Sequence, residues 1–267
     1  MPSIQDIFQD PAPVALVTGS GAPRVGRAIA AHLAGLGCRL ALHAHRSIED
    51  AEHAASKLRD DGCEVIVVRG AVDRAEEVEA FVAAVAQHFG RIDILINSAA
   101  IWAPKRLEEV TAEDVRSYLE VNTLGSFIAA KAAGLQMVAQ PRGGAIVNIG
   151  DWAISRPYLD HAAYFPSKGS IEAMTRSLAV ELAERNRAVR VNCIHPGPVL
   201  MAEEVSQTTV AAIAESTLLK RIGTPEHVAH AVQFLIENDF VTGVALPVDG
   251  GRTIYANEPL QTAYRTG

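Results

Sequence analysis

The chain is poor in the features that would staple it, anchor it or draw it to a polyanion. It has only three cysteines, Cys38, Cys63 and Cys193, far apart and with no C-x-x-C pair. That excludes a zinc cluster and a disulfide framework, and scattered thiols fit a reducing cytosol. No apolar run reaches the roughly 18 residues of a spanning helix. The opening Met1-Pro2-Ser3-Ile4-Gln5-Asp6 has neither the basic region nor the apolar stretch of a secretory leader, so a cytoplasmic location is expected. A basic excess is also missing. Lys and Arg number 24 against 31 Asp and Glu, a net charge of −7, which argues against a general nucleic-acid binder but not against one local anion site. Aromatics are 5%, charged residues 21% and hydrophobic residues 49%, a globular balance that excludes disordered, collagenous and coiled-coil chains. At 267 residues the chain is long enough to bury a core without metal or disulfide.

What is present is alternation. Short β-branched runs at Val14–Val17, Arg39–His43, Glu64–Arg69, Ile92–Ile96, Ala145–Ile149, Val189–Ile194 and Val244–Val248 are nearly continuous in apolar residues, the mark of a sheet covered on both faces. Between them lie segments of helical period near 25–37, 48–60, 74–89, 112–139, 161–184 and 225–237. Ser47 with Asp50 and Asp73 with Glu76 resemble capping boxes, and Thr224-Pro225 reads as an N-cap followed by proline at the first helical position. Such alternation implies parallel strands joined by right-handed crossovers. The expected fold is α/β, one doubly wound domain over 14–254 with a parallel seven-stranded sheet flanked by helices. Residues 1–13 read as a short loose arm, Met201–Leu219 as a helical insertion before the last helix, and 255–267 as a tail.

Thr18-Gly19-Ser20-Gly21-Ala22-Pro23-Arg24-Val25-Gly26-Arg27 joins the first strand to the first helix. Glycines there allow a tight turn and close backbone approach to a pyrophosphate, and the helix N-terminus adds free N–H groups and partial positive charge. An acid about 20 residues on would favour NAD. The chain has His43-Ala44-His45-Arg46-Ser47 instead, with no acid before Glu49. Arg46 can meet a phosphate with its planar fork and Ser47 can donate, so the cofactor inferred is NADP(H). Two histidines with no third ligand nearby do not make a metal site, and none is expected. Farther on, Tyr164 and Lys168 lie four apart on one helix face. A phenol of pKa about 10 beside an ammonium shifts toward the phenolate and can exchange a proton as hydride moves.

With these residues assembled, the chain resembles the short-chain dehydrogenase/reductase family over nearly all of Val14–Thr253. The motifs are Thr18-Gly19…Gly26, Asp93-Ile94-Leu95-Ile96-Asn97-Ser98-Ala99, Asn122, Tyr164…Lys168, Pro196-Gly197 and Val248-Asp249-Gly250-Gly251. The resemblance implies a Rossmann-type domain in which Gly19, Arg24, Val25, Gly26, Val72, Asn97 and Ala99 line the cofactor. It implies that Asn122 holds a water linked to Lys168, that Lys168 also holds the nicotinamide ribose, and that Pro196-Gly197 passes beside the nicotinamide. It further implies a substrate lid over about 199–219 and a homotetramer built on the helices carrying Asn122 and Tyr164.

Departures from the family narrow the reading. Thirteen residues before Tyr164, where the family places serine, stands Asp151. An ionised carboxylate accepts only and would repel the oxyanion of a reduced ketone. Close to Tyr164 in a partly closed pocket the carboxyl can hold a proton. A carboxyl that donates a proton suits reduction of a C=N bond in a nitrogen heterocycle; the same pocket suits acceptance of hydrogen bonds from an amino-pyrimidine. The set Asp151, Tyr164 and Lys168, the Arg24-Val25-Gly26 turn and the His45-Arg46-Ser47 stretch resemble the pteridine reductase branch. Trp102 falls where that branch stacks the pterin. The catalytic set is thus Asp151, Tyr164, Lys168 and Asn122, with Trp102, Asp151 and Tyr164 toward a small-molecule substrate, and Tyr158 and Leu159 at the same pocket. Two further departures are one extra residue in the phosphate turn and Ala71 where the family often has an adenine-binding aspartate. The alternatives are a carbonyl or alcohol oxidoreductase, in which Ser155 or a backbone group binds the carbonyl, and an NADP-binding regulatory or scaffold protein.

Overall fold

The computed structural model describes residues 2–200 and 205–255. Seven strands, β1 (Val14–Thr18), β2 (Arg39–Ala44), β3 (Val65–Arg69), β4 (Ile94–Asn97), β5 (Gly144–Ile149), β6 (Val189–Pro196) and β7 (Ala245–Val248), form one sheet in the order β3-β2-β1-β4-β5-β6-β7. Every pairing is parallel. Successive residues of a strand point to opposite faces, so an unbroken apolar run feeds two cores. Val14 and Leu16 enter the core formed with α4 (Ala75–Phe89), α6 (Gly125–Val138) and α7 (Phe165–Arg185). Ala15 and Val17 enter the opposite core, formed with α2 (Val25–Gly35), α3 (Ile48–Asp60) and α9 (Pro225–Glu237). The strand order reverses between β1 and β4, where Thr18 pairs with Asn97. The connections leaving the C-terminal ends of those two strands therefore run to opposite faces of the sheet and leave between them the crevice in which such sheets bind ligands.

The expected loose arm is a correction: Ile4–Phe8 is a helix, α1, opened by a capping box between Ser3 and Asp6. Ile4 and Phe8, one helical turn apart, are each 1% exposed and join the core beside α9. Arg91 ties this helix to the sheet. It donates to Phe8 O at 3.3 Å, to Asp10 at 2.9 Å and, from Nε, to the fully buried Asp93 at 2.9 Å. Asp93 also accepts the Val14 N–H at 2.8 Å. Burial pushes the Asp93 carboxyl above its ordinary range.

The segment read as one helix over 112–139 is α5 (Ala112–Tyr118), a wider π-helical turn at Leu119–Leu124, then α6. Neither expected capping box forms. Ser47 precedes α3 without a side-chain bond to it, and α4 starts after Arg74 rather than Asp73. Glu77 turns back to accept the Ala71 N–H at 2.7 Å. Thr224 does open α9, with its N–H donated to His227 Nδ1 at 3.0 Å. The helix expected over 161–184 begins at Phe165. The insertion contains α8 (Gln207–Glu215), no residue of which is buried. Of the expected lid, 201–204 lie outside the described residues, as do 256–267 of the expected tail.

Candidate active site

The turn after β1 folds back onto β2 rather than projecting from the sheet. Gly19 has φ +66°, and a Cβ there would stand 2.7 Å from Ala99 Cα, so only glycine lets β1 and β4 close at this point. Thr18 Oγ1 accepts the N–H groups of Ser98 and Ala99 at 3.0 and 3.1 Å. The Gly19 N–H is donated to His43 Nδ1 at 3.1 Å, and the His43 Nε2–H to Gly70 O at 3.0 Å. Gly70 O can only accept, which fixes the ring's tautomer. Burial pulls the His43 pKa down to about 4. The N–H groups of Ser20 and Gly21 go to His43 O at 3.1 and 3.3 Å. Arg24 caps α2 and is exposed, Val25 is half-buried and Gly26 buried, so the first turn of α2 opens toward the crevice. Gly21 lies against the second strand's end, where a Cβ would come 2.6 Å from Ser47 Oγ. His45 and Arg46 are exposed beside it and Ser47 is half-buried. Val72 lies against Gly125, across the crevice from this turn.

At the ends of β4 and β5 the amides are committed to the frame. Asn97 donates to Ser126 O at 3.1 Å and Asn148 Oδ1 at 2.9 Å. Asn122, in the π-helical turn, accepts from Ile101 N at 2.8 Å and donates to Ile101 O at 3.1 Å and Ser167 Oγ at 3.0 Å. Its amide thus braces the chain leading to Trp102. Lys168 is buried and donates to Ile149 O at 2.9 Å. Pro196 ends β6, and Gly197 donates its N–H to Val248 O at 2.9 Å, with Asp249 close behind it.

Asp151 and Tyr164 meet. Asp151 follows β5, and its Oδ1 accepts the Ala153 N–H at 2.8 Å, opening a single helical turn at Trp152–Ile154. Its Oδ2 accepts the Tyr164 hydroxyl at 2.8 Å. Burial first, then the Asp151 charge and hydrogen bond, push the phenol well above its ordinary range. This corrects the expected depression by Lys168. The ammonium is directed to Ile149 O, and burial lowers its own pKa. The site therefore holds a neutral phenol hydrogen-bonded to the Asp151 carboxyl group.

Trp102 is 51% exposed and has one face stacked on His161, with ring centroids 4.8 Å apart. His161 also meets Tyr158 at 4.8 Å and Tyr164 at 6.3 Å, which carries the aromatic cluster to the phenol. Tyr158 and Leu159 are both exposed at this mouth. Sequence reasoning missed three histidines here: His43 as the anchor of the turn, His161 as the partner of Trp102, and His195, which directly precedes Pro196. All three stood beside recognised motifs, His43 before His45-Arg46-Ser47, His161 before Tyr164 and His195 before Pro196-Gly197, but none was given these roles. Among the described residues no cluster of three metal-ligating side chains occurs.

A family model described as enoyl-(acyl carrier protein) reductase matches residues 22–253. The chain is 35% identical over 235 residues to a human 3-oxoacyl-[acyl-carrier-protein] reductase, covering 86% of this chain and 94% of that one. It is 31% identical over 252 residues to glucose 1-dehydrogenase 2 of Bacillus subtilis, covering 91% and 96%. The crystal structure of a dehydrogenase/reductase from Sinorhizobium meliloti 1021 superposes with a TM-score of 0.84 at 30% identity, covering 93% of this chain and 98% of that one. With its parallel seven-stranded sheet and a Tyr164–Lys168 pair at the crevice, the chain belongs to the short-chain dehydrogenase/reductase family of oxidoreductases, which use nicotinamide cofactors.

Proposed function

We propose that the protein is an NADP(H)-dependent reductase of a pterin or a similar C=N heterocycle. The observation that carries this reading is the 2.8 Å hydrogen bond from the Tyr164 hydroxyl to Asp151. A phenol held neutral is a proton donor, and the carboxyl oxygens beside it are acceptors, engaged already by Tyr164 and the Ala153 N–H. Both properties suit a substrate that gains a proton on nitrogen and presents amino hydrogens.

The cradle fits a dinucleotide: Gly19 admits no Cβ, and the turn leads straight into the N-terminus of α2. Gly19, Arg24, Val25 and Gly26 would hold the pyrophosphate. His45, Arg46 and Ser47, with no acid among them, would hold a 2′-phosphate and set the preference for NADP(H). Val72, Asn97 and Ala99 would line the middle of the cofactor, and Lys168, Pro196 and Gly197 its nicotinamide end. When bound, the reduced nicotinamide supplies hydride to a ring carbon. Tyr164 gives its proton to the adjacent nitrogen, Asp151 orients the phenol and accepts a substrate N–H, and Asn122 keeps the Trp102 segment in place. The open face of Trp102 offers a stacking surface for a flat bicycle, worth about 0.5–1.5 kcal/mol beyond burial. The exposed Leu119, Leu124 and Phe127 around the π-helical turn support a homotetramer, for which light scattering should return four times the 28.4 kDa chain. Three free thiols fit a cytoplasmic protein.

The test is NADPH oxidation with dihydropterin and dihydrofolate, run beside ketones and a β-ketoacyl thioester, with NADH as control. Pterin turnover with NADPH preference is expected. Asp151→Ser should cut it about 10- to 100-fold, as for a lost bond to a charged group. Equal or better turnover by that variant overturns the role. The named relatives favour a second reading, carbonyl reduction, in which Ser155 or a backbone group binds the carbonyl. Turnover confined to carbonyls selects it. Cofactor binding without turnover of either panel selects a regulatory or scaffold protein.

A further inference from the structure

The catalytic reading leaves His195 without a task. It is the penultimate residue of β6, is 6% exposed, and points at the main chain of Asp151, whose N–H it accepts on Nδ1 at 3.1 Å. Its Nε2 lies 3.6 Å from Glu172 Oε2 on α7 and 3.9 Å from Cys193 Sγ. A ring nitrogen that accepts carries no proton, so the neutral ring keeps its proton on Nε2, toward Glu172. The other Glu172 oxygen accepts from Arg176, which steadies the carboxylate. Gly150 makes the approach possible, since a methyl group there would collide with His195 Nδ1. Asp151 is thereby held at three points: its N–H by His195, Oδ1 by Ala153 and Oδ2 by Tyr164.

We propose that His195 is a positioning residue, which fixes the main chain at Asp151 and so sets the carboxylate against Tyr164, in a tautomer that Glu172 selects. The proposal rests on the reading of Asp151 and Tyr164 as the reacting pair. It carries a pH dependence. A proton on Nδ1 would set donor against donor and release the Asp151 backbone. The groups facing the ring are Glu172 and Lys168 from α7, Cys193 from β6 and Asp151 from the turn after β5. Burial and Lys168 lower the pKa of His195, while Glu172 and Asp151 oppose that, and the net direction is downward. The bond is intact at neutral pH and is lost on acidification below the ordinary histidine range of about 6.5.

Asparagine places an amide oxygen near the position of Nδ1 and does not titrate, whereas leucine has no acceptor. Kinetics use whichever panel substrate the wild type turns over. His195→Leu should lower kcat about tenfold, the cost of an unpaired N–H, with KM for NADPH unchanged. His195→Asn should stay within about threefold of wild type and lose the acid limb of the pH profile. Gly150→Ala, which displaces the ring without altering it, should reproduce the leucine loss, and it decides the matter if the leucine variant does not fold. A long-range proton–nitrogen spectrum of the full chain, with His195 identified by its absence in the asparagine variant, needs no substrate. It should give the Nε2–H tautomer with a pKa below 6.5 that Glu172→Gln lowers further. An Nδ1–H tautomer overturns the proposal, as do leucine and asparagine variants that behave alike. A wild type that reduces only carbonyls ends the pterin reading and leaves the tautomer test standing.

Discussion

Acid should unfasten the cofactor turn through His43. The ring is 1% exposed and engaged at both nitrogens, by the Gly19 N–H and by Gly70 O. Its pKa falls from 6.5 to about 4, chiefly by burial. The unfolded chain takes up a proton near 6.5 and the folded chain only near 4, so stability present above pH 6.5 is lost progressively down to about 4. At about 1.4 kcal/mol per pKa unit the full loss is about 3 kcal/mol. For a chain of this size that corresponds to about 6–12 °C of melting temperature. His195, depressed in the same direction, contributes to the same window, so wild type alone does not isolate the effect. His43→Asn does, because its amide oxygen can still accept from Gly19 and does not titrate. It forfeits the bond to Gly70 O, but that cost is the same at every pH. Thermal melts of both proteins between pH 7 and pH 4 are the assay. The wild type should lose about 6–12 °C more than the variant across that interval. Curves that stay parallel within about 2 °C would refute the assignment of a buried, neutral His43 to the turn.

Three other perturbations probe separate parts of the molecule. Phe8→Ala should destabilise by about 3–5 kcal/mol in denaturant melts, because α1 docks through a fully buried ring; a loss under about 1 kcal/mol would mean the arm is dispensable. Arg91→Leu leaves the Asp93 carboxylate in the sheet with only the Val14 N–H and should cost about 3–5 kcal/mol at pH 7. A folded-state pKa already raised by burial means the protein binds the proton more readily folded, so that deficit should shrink on acidification, and a deficit that grows would contradict the assignment. Arg46→Ala should weaken NADPH binding about tenfold or more in fluorescence titration and leave NADH unchanged, as expected when a charge-assisted fork to a phosphate is removed. Equal weakening of both cofactors would move the 2′-phosphate site elsewhere.

The sheet was legible because two buried faces demand unbroken apolar runs, and β1 through β6 supply them. The bounds of α3 and α9 follow from periodicity alone. α1 did not declare itself, since five residues carry too little period and so short a helix persists only by docking Ile4 and Phe8. The π-helical turn was invisible too: Leu119-Glu120-Val121-Asn122 reads as ordinary helix, and the bonds the turn makes to α7, Asn122 to Ser167 and Thr123 to Ser170, join residues far apart in sequence. At the site, the meeting of Asp151 and Tyr164 was expected from the resemblance to the family, which places a serine thirteen residues before its tyrosine; here that interval is the loop between β5 and α7. The direction of the Tyr164 shift was not readable, because it depends on how deeply the ring is buried and where the Lys168 ammonium points. Polar letters also misled. His43, which closes the strand expected at Arg39–His43 and was weighed beyond that only as a metal ligand, is inside the molecule, its ring satisfied by Gly19 and Gly70. Trp102 and His161 are too far apart in sequence for their stack to be foreseen.

The π-helical turn makes residue count, not only residue type, a constraint between Leu119 and Leu124. Each residue of a regular α-helix advances about 100° around the axis. Deleting one residue from the turn would restore the regular helix and rotate everything after it by about that angle relative to α5. Ser126 would leave Asn97, Gly125 would leave Val72, and Asn122 would leave Ile101, though no side chain had changed identity. A single-codon deletion here should therefore be far more damaging than most substitutions, and homologous chains aligned across this stretch should keep its length while varying its letters.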